Sequence, residues 1–294
     1  MPAERAPAVA GETRAAGAMV LGSIVSVQSG AALATSLFDE VGSGGAVFLR
    51  SLFGALILLA FARGLPRPLR RPGFGDVVLF GVALAAMNLC FYASLERLPL
   101  GVAVTLEFVG PLGVALFGAR RARDVLWAVL AAAGIVLLSD GAGAGGIDTL
   151  GAVLALVAGG FWAVYILVGA RVGRSYPGLG GLALATSIST LLVAPFGIAA
   201  GEGDLLSPAV LAVGLGVGLL SAAIPYGLEL EALRRLPRAV FGVLMSLEPA
   251  VAATVGFVAL SQDLAALELV AIALVVVASA GALRSARTPA PRDG

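Results

Sequence analysis

The chain has 294 residues, 59% of them hydrophobic before its 40 glycines are counted and only 13% charged, against roughly 45–50% apolar in an average soluble domain with glycine included. With a mean hydropathy of +1.01 there is too little polar side chain to cover a water-soluble object of this size, so the composition is that of a membrane protein and soluble-enzyme readings fall away. The 19 basic residues, all arginine, nearly cancel the 18 acids to leave a formal net charge of +1, so the electrostatic message lies in position and not in the sum.

A hydrocarbon core of about 30 Å asks for about 20 apolar residues per helix. Ten such runs follow one another: 17–37, 43–63, 75–95, 100–118, 123–139, 150–171, 179–199, 208–232, 238–260 and 264–283. None alternates as a barrel strand would, and backbone in lipid must satisfy its own hydrogen bonds, so each run predicts a helix. The first is too long, and lacks the cleavage site, to read as a signal peptide. The polar ends, 1–16 and 284–294, predict short disordered tails.

Arginine fixes the expected orientation. Seventeen of the 19 fall in the two tails and the even-numbered loops; only Arg97 lies in an odd-numbered loop, and Arg50 lies inside a helix. The positive-inside rule then places both termini in the cytoplasm, with an all-α, ten-helix polytopic protein between them.

Ionisable and polar side chains inside such helices are costly and default to function. In chain order they are Gln28 in the first run, Arg50 in the second, Asn88 and Tyr92 in the third and Glu107 in the fourth. Trp162 and Tyr165 follow in the sixth, Tyr226 and Glu229 in the eighth beyond Pro225, and Glu248 near the middle of the ninth. Arg50 and Glu107 each lie about seven residues in from the outer end, about 10 Å deep at 1.5 Å per residue, and Gln28, Asn88 and Glu248 reach a comparable depth. Arg50 and Glu107 either form a static ion pair that locks two helices or present opposite charges to a small zwitterion, with Arg50 on its carboxylate. Glu248, with Glu229 and Glu107 beside it, is a candidate for exchanging protons with the pathway. The aromatic side chains either line a pocket or pack in the interior.

Leu98-Pro99 through Gly110-Pro111 aligns without gaps against Leu236-Pro237 through Glu248-Pro249, at a constant offset of 138 residues. Five spans separate the copies, so the element enters once from each side: two inverted five-helix repeats, 17–139 and 150–283, as in secondary transporters. Pro111 and Pro249 break their helices, each leaving the carbonyl four residues earlier (Glu107 and Met245) without its donor. A freed carbonyl in hydrocarbon must face protein or a wet cavity, or the proline is simply a structural kink. Gly159-Gly160 and the alternate glycines 214, 216 and 218 signal close helix packing. Gly141 to Gly146 follows no strand and is no phosphate loop. Histidine is absent and Cys90 is the one cysteine, so no metal site, cofactor or histidine-dependent hydrolase is expected, and no nucleic-acid partner.

The stretch Leu106-Glu107-Phe108, Gly110-Pro111-Leu112 and Arg120-Arg121 resembles the EamA branch of the drug/metabolite transporter superfamily. So do Met87-Asn88, Phe91-Tyr92, Trp162-Ala163, Pro225-Tyr226, Leu228-Glu229, Leu244-Met245-Ser246 and Glu248-Pro249-Ala250. The likeness runs from about residue 20 to about residue 282. It implies ten helices in two inverted halves and an exporter in a bacterial cytoplasmic membrane, acting on small amino acids such as threonine or homoserine and driven by protons. Its pathway would include Asn88, Tyr92, Glu107, Trp162, Tyr165, Tyr226, Glu229 and Glu248. Export of another metabolite or a drug within the same superfamily is the alternative.

Overall fold

A computed structural model describes residues 5–62, 73–116, 126–127, 129–134, 137, 148–176, 178–201, 204–235, 241 and 244–285. Its regular elements among these residues are all helical: α1 (Arg5–Thr35), α2 (Phe38–Phe61), α3 (Phe74–Leu95), α4 (Leu100–Glu107), α5 (Val109–Leu116), α6 (Thr149–Ser175), α7 (Gly180–Gly201), α8 (Pro208–Gly218), α9 (Ile224–Arg235), α10 (Glu248–Leu260) and α11 (Ala266–Ser285). A π-helical turn, Leu219–Ala223, joins α8 to α9. Six segments are long and apolar enough to cross a bilayer (Ala15–Thr35, Phe38–Phe61, Phe74–Leu95, Thr149–Ser175, Gly180–Ala200 and Pro208–Glu229), and shorter apolar helices accompany them. The chain is a multi-pass membrane protein.

Parts of the expected fifth span, the start of the ninth, the arginine loops at 63–71 and 120–123, the glycine loop at 141–146 and the C-terminal tail from residue 286 lie outside the described residues. Helix α1 begins at Arg5 and not at Gly17, so the segment expected as a disordered tail is helical from Arg5 onward. Its alanines favour helix strongly enough to carry α1 past the apolar run.

The fourth run is broken at Phe108 into α4 and α5, three residues ahead of Pro111, because a proline disturbs the turn before it. Its freed Glu107 carbonyl does face protein. It lies against Gly159 on α6, so close that a Cβ at Gly159 would fall on it, and a Cβ at Gly110 would fall on the Gly159 carbonyl. The two bare glycines let α5 and α6 cross at backbone contact. The ninth run breaks at Ser246–Leu247, and Glu248 opens α10 with Pro249 at a tolerated helix start instead of lying mid-helix.

The two ends of the bundle differ. At one, Arg171 pairs with Asp76 at 3.1 Å and joins α6 to the start of α3. At the other, Arg97 pairs with Asp148 at 3.4 Å, and Glu96 accepts from the Ser43 backbone N–H at 3.1 Å. Also at that end, Ser261 takes a left-handed conformation after α10, and the Gln262 side chain folds back so that its Oε1 accepts from the Leu100 N–H at 2.9 Å. This N–H belongs to the first turn of α4, which has no internal acceptor for it. Gln262→Ala is expected to cost about 1 kcal/mol, the worth of a helix cap, seen as a lower midpoint of thermal unfolding in detergent. An unchanged midpoint would mean that water serves this N–H equally well.

Candidate functional site

Polar side chains of α1 tie it to the second half of the chain: Ser23, Ser26 and Gln28 each reach a partner there. Ser23 Oγ donates to Glu229 Oε1 on α9 at 2.5 Å, and Gln28 Nε2 donates to Glu248 Oε1 on α10 at 3.3 Å. Ser26 Oγ donates to the Leu220 carbonyl in the π-helical turn at 2.7 Å.

That turn exists because of Pro225. Proline brings no N–H, so neither the carbonyl four residues back, Ser221, nor the one five back, Leu220, can receive its usual bond. Side chains from two other helices supply the missing donors. Ser26 covers Leu220, and Arg50 Nη2 of α2 lies 3.4 Å from the Ser221 carbonyl. The Arg50 guanidinium also stands 6.0 Å from the centre of the Tyr92 ring, within range for a cation–π attraction.

Two neighbouring chambers lie between these elements. The larger, about 420 Å³, is lined largely by apolar and aromatic side chains, with Glu229, Tyr165 and Tyr226 among them. The smaller, about 90 Å³, is bordered by Gln28, Arg50, Asn88, Tyr92, Glu107 and Glu248, together with apolar neighbours. Val27, Arg50, Met87, Trp162, Ser221 and Glu248 border both. The larger chamber extends towards the end with Asp76 and Arg171, since Glu229 and Val114 lie on that side of Glu248 and Glu107 along their helices. Phe108, at the break between α4 and α5, meets Trp162 edge-on at 5.6 Å between ring centres, and both rings line the larger chamber.

The residues singled out from the sequence therefore converge. Asn88, Tyr92 and Glu107 border the small chamber, Tyr165, Tyr226, Glu229 and Pro111 the large one, and Arg50, Trp162 and Glu248 both. Pro249 is buried at the start of α10 and borders neither. Arg50 and Glu107 share the small chamber without forming an ion pair among the described contacts, the guanidinium turning instead to Ser221 and Tyr92. Asn88 Nδ2 donates to the Leu84 carbonyl at 2.7 Å, which leaves the amide oxygen and the second N–H of the amide. Ser23, Ser26 and Ser221 were not singled out; the clustering of Ser23, Ser26 and Gln28 within six residues of one apolar run is a signal that could have drawn attention to the first two.

The sequence profile of the EamA-like transporter family matches residues 149–284, from the start of α6 almost to the end of α11. The threonine/homoserine exporter RhtA of Escherichia coli (strain K12) is 42% identical over 271 residues, 92% of this chain and 91% of that protein. This chain belongs to the EamA-like transporter family. The RhtA protein of Salmonella typhimurium (strain SL1344) is also 42% identical, over 263 residues and 89% of each chain, so the likeness takes in the first half as well as the segment matched by the family profile. A crystal structure of another protein, 24% identical, superposes with a TM-score of 0.65 over 92% of this chain and 97% of that one, a likeness of fold.

Proposed function

We propose that this protein is a secondary-active exporter of small amino acids, of the threonine and homoserine kind, built from two inverted five-helix repeats with both termini in the cytoplasm. The observation that carries the reading is the small chamber, where a guanidinium and two carboxylates are held deep in a membrane protein around a space suited to an amino-acid head group. The names of the relatives support the substrate class. The repeat is supported by the two helix breaks, at Phe108 and at Ser246–Leu247, which fall at the same place in copies offset by 138 residues.

In this reading the substrate enters the large chamber from the arginine-rich side, and its head group passes Trp162 into the small one. The carboxylate goes to Arg50 and the ammonium to the acidic side chains. Glu107, Glu229 and Glu248 each bind either a proton or an organic cation, so proton and substrate compete for the same groups and the inward flow of one drives the outward flow of the other. The halves then rock about the shared centre, opening the Gln262 end as the other closes.

Everted membrane vesicles containing the protein are expected to accumulate threonine or homoserine above empty vesicles, and only under an imposed proton gradient. Accumulation that persists without the gradient would remove the proton coupling. A panel of amino acids with no accumulation at all would remove the exporter reading. A second reading, export of a larger apolar metabolite, draws on the roughly 420 Å³ of the larger chamber, more than a small amino acid fills; inhibition by bulky apolar solutes but by no amino acid would favour it.

A further inference from the structure

Buried polar atoms almost always find partners, so those that do not are informative. Among the described residues five buried side-chain atoms have none: Gln28 Oε1, Tyr92 OH, Tyr176 OH, Ser221 Oγ and Glu248 Oε2. Four of the five belong to residues that border the small chamber. Gln28 is 2% exposed, Tyr92 2%, Ser221 3% and Glu248 5%, so no bulk water relieves them.

The four are sorted by polarity. Glu248 is an acceptor when ionised, so the Gln28 amide must turn its N–H₂ towards Glu248 Oε1, leaving Gln28 Oε1 as a second open acceptor beside Glu248 Oε2. The other two atoms are the Tyr92 and Ser221 hydroxyls, neighbours of each other, which unlike the first two can donate as well as accept. Both belong to residues in contact with Arg50: its guanidinium stands over the Tyr92 ring and lies 3.4 Å from the Ser221 carbonyl.

The geometry points to a dipolar binding site in which Gln28 and Glu248 receive a primary ammonium group, while Tyr92 and Ser221 join Arg50 on a carboxylate. It rests on the exporter reading and deepens it, by assigning a binding role to Gln28 and Ser221 and by placing Glu248 on the ammonium. A primary ammonium offers three N–H donors, enough for both open acceptors with one to spare. A carboxylate accepts from several donors at once, so two hydroxyls and a guanidinium can share it. The orphaned atoms are the complement of such a ligand. The fold tolerates them because the substrate completes them.

Competition against labelled threonine uptake in everted vesicles tests the assignment. The competitors are threonine, threoninol, which lacks the carboxylate, and 2,3-dihydroxybutyrate, which lacks the ammonium. Gln28→Leu is expected to weaken threonine and threoninol by about 10- to 100-fold, the worth of a hydrogen bond to a charged group, and to leave 2,3-dihydroxybutyrate as it was. Tyr92→Phe and Ser221→Ala should do the reverse, weakening threonine and 2,3-dihydroxybutyrate by about tenfold while sparing threoninol. The last two variants delete only hydroxyls that lack a well-formed hydrogen bond, their nearest polar contact being with each other, so their thermal midpoints in detergent should stay close to the parent's, a pattern that damaged packing would not give.

Equal losses for both analogues in every variant would overturn the assignment, as would thermal midpoints that fall along with binding in Tyr92→Phe and Ser221→Ala. A sodium requirement altered by Gln28→Leu, with the analogue pattern intact, would give the acceptor pair to a metal cation and overturn the ammonium site. Parent vesicles that accumulate no amino acid overturn the exporter reading and this inference with it. Parent vesicles that accumulate threonine while the variants match the parent overturn this inference alone.

Discussion

Gly110→Ala is expected to leave little folded protein in the membrane. A Cβ at this position falls on the Gly159 carbonyl, and the reciprocal change at Gly159 falls on the carbonyl of Glu107. The obstacle is backbone in both cases, so no side-chain rotation relieves it. Helices α5 and α6 must separate, taking with them the contact between Phe108 and Trp162. Separation also strips cover from the Glu107 carbonyl, which Pro111 deprives of its helical donor and which in hydrocarbon finds no water. The combined cost lies in the upper tail for single substitutions, on the order of 4 kcal/mol or more. Immunoblotting of membranes and gel filtration in detergent are the measurements, with Gly113→Ala as the control, since no atom stands within 4 Å of a Cβ there. Parent-like abundance and elution of Gly110→Ala would show that α5 and α6 do not cross at this point.

Arg50→Leu is expected to reduce amino-acid transport by about 100-fold or more while leaving protein in the membrane. The estimate corresponds to about 3 kcal/mol, within the range for truncating one member of a desolvated charged contact. Two losses combine. In the proposed site the substrate carboxylate would lose its cation, and the Ser221 carbonyl loses the Arg50 donor that compensates for Pro225. Arg50→Lys should recover little, because an ammonium on a flexible stem cannot serve a carbonyl and a carboxylate with one planar fork. Exchanging the charges, Arg50→Glu with Glu107→Arg, should not restore transport, since the two do not form an ion pair here and the Ser221 carbonyl would lose its donor. Recovery on exchange would mean that their mutual attraction is what matters. Both measurements are initial rates in everted vesicles, normalised to the amount of protein.

The parts of this site that were legible in the sequence were those that stand out energetically. A guanidinium or a carboxylate within twenty apolar residues is expensive, so Arg50, Glu107 and Glu248 announce themselves, and the structure gathers them around one chamber. Ser23, Ser26 and Ser221 cost little in a membrane helix and do not stand out one at a time. Their importance is relational, since each is defined by a partner about two hundred residues away or by a carbonyl that a proline has released. The π-helical turn at Leu219–Ala223 was hidden for the same reason: Pro225 makes a bend there expected, but whether the chain kinks or widens depends on donors brought by α1 and α2. The pairing of Arg50 with Glu107 was offered by equal depth alone. Depth fixes height in the bilayer and leaves open the direction in which a side chain points, and the released Ser221 carbonyl claims the guanidinium.

The three polar grips of α1 bear on how the proposed exporter would move. Ser23, Ser26 and Gln28 are fixed to a single helical rod, and the three groups they hold span α9, the π-helical turn and α10. A rod cannot let go of one grip and keep the other two without bending. Sliding part-way would strand several acceptors at once in a medium that offers no replacement. If the protein alternates between two end states as proposed, the passage between them is expected to be all-or-none, with no accumulated state in which α1 is partly displaced.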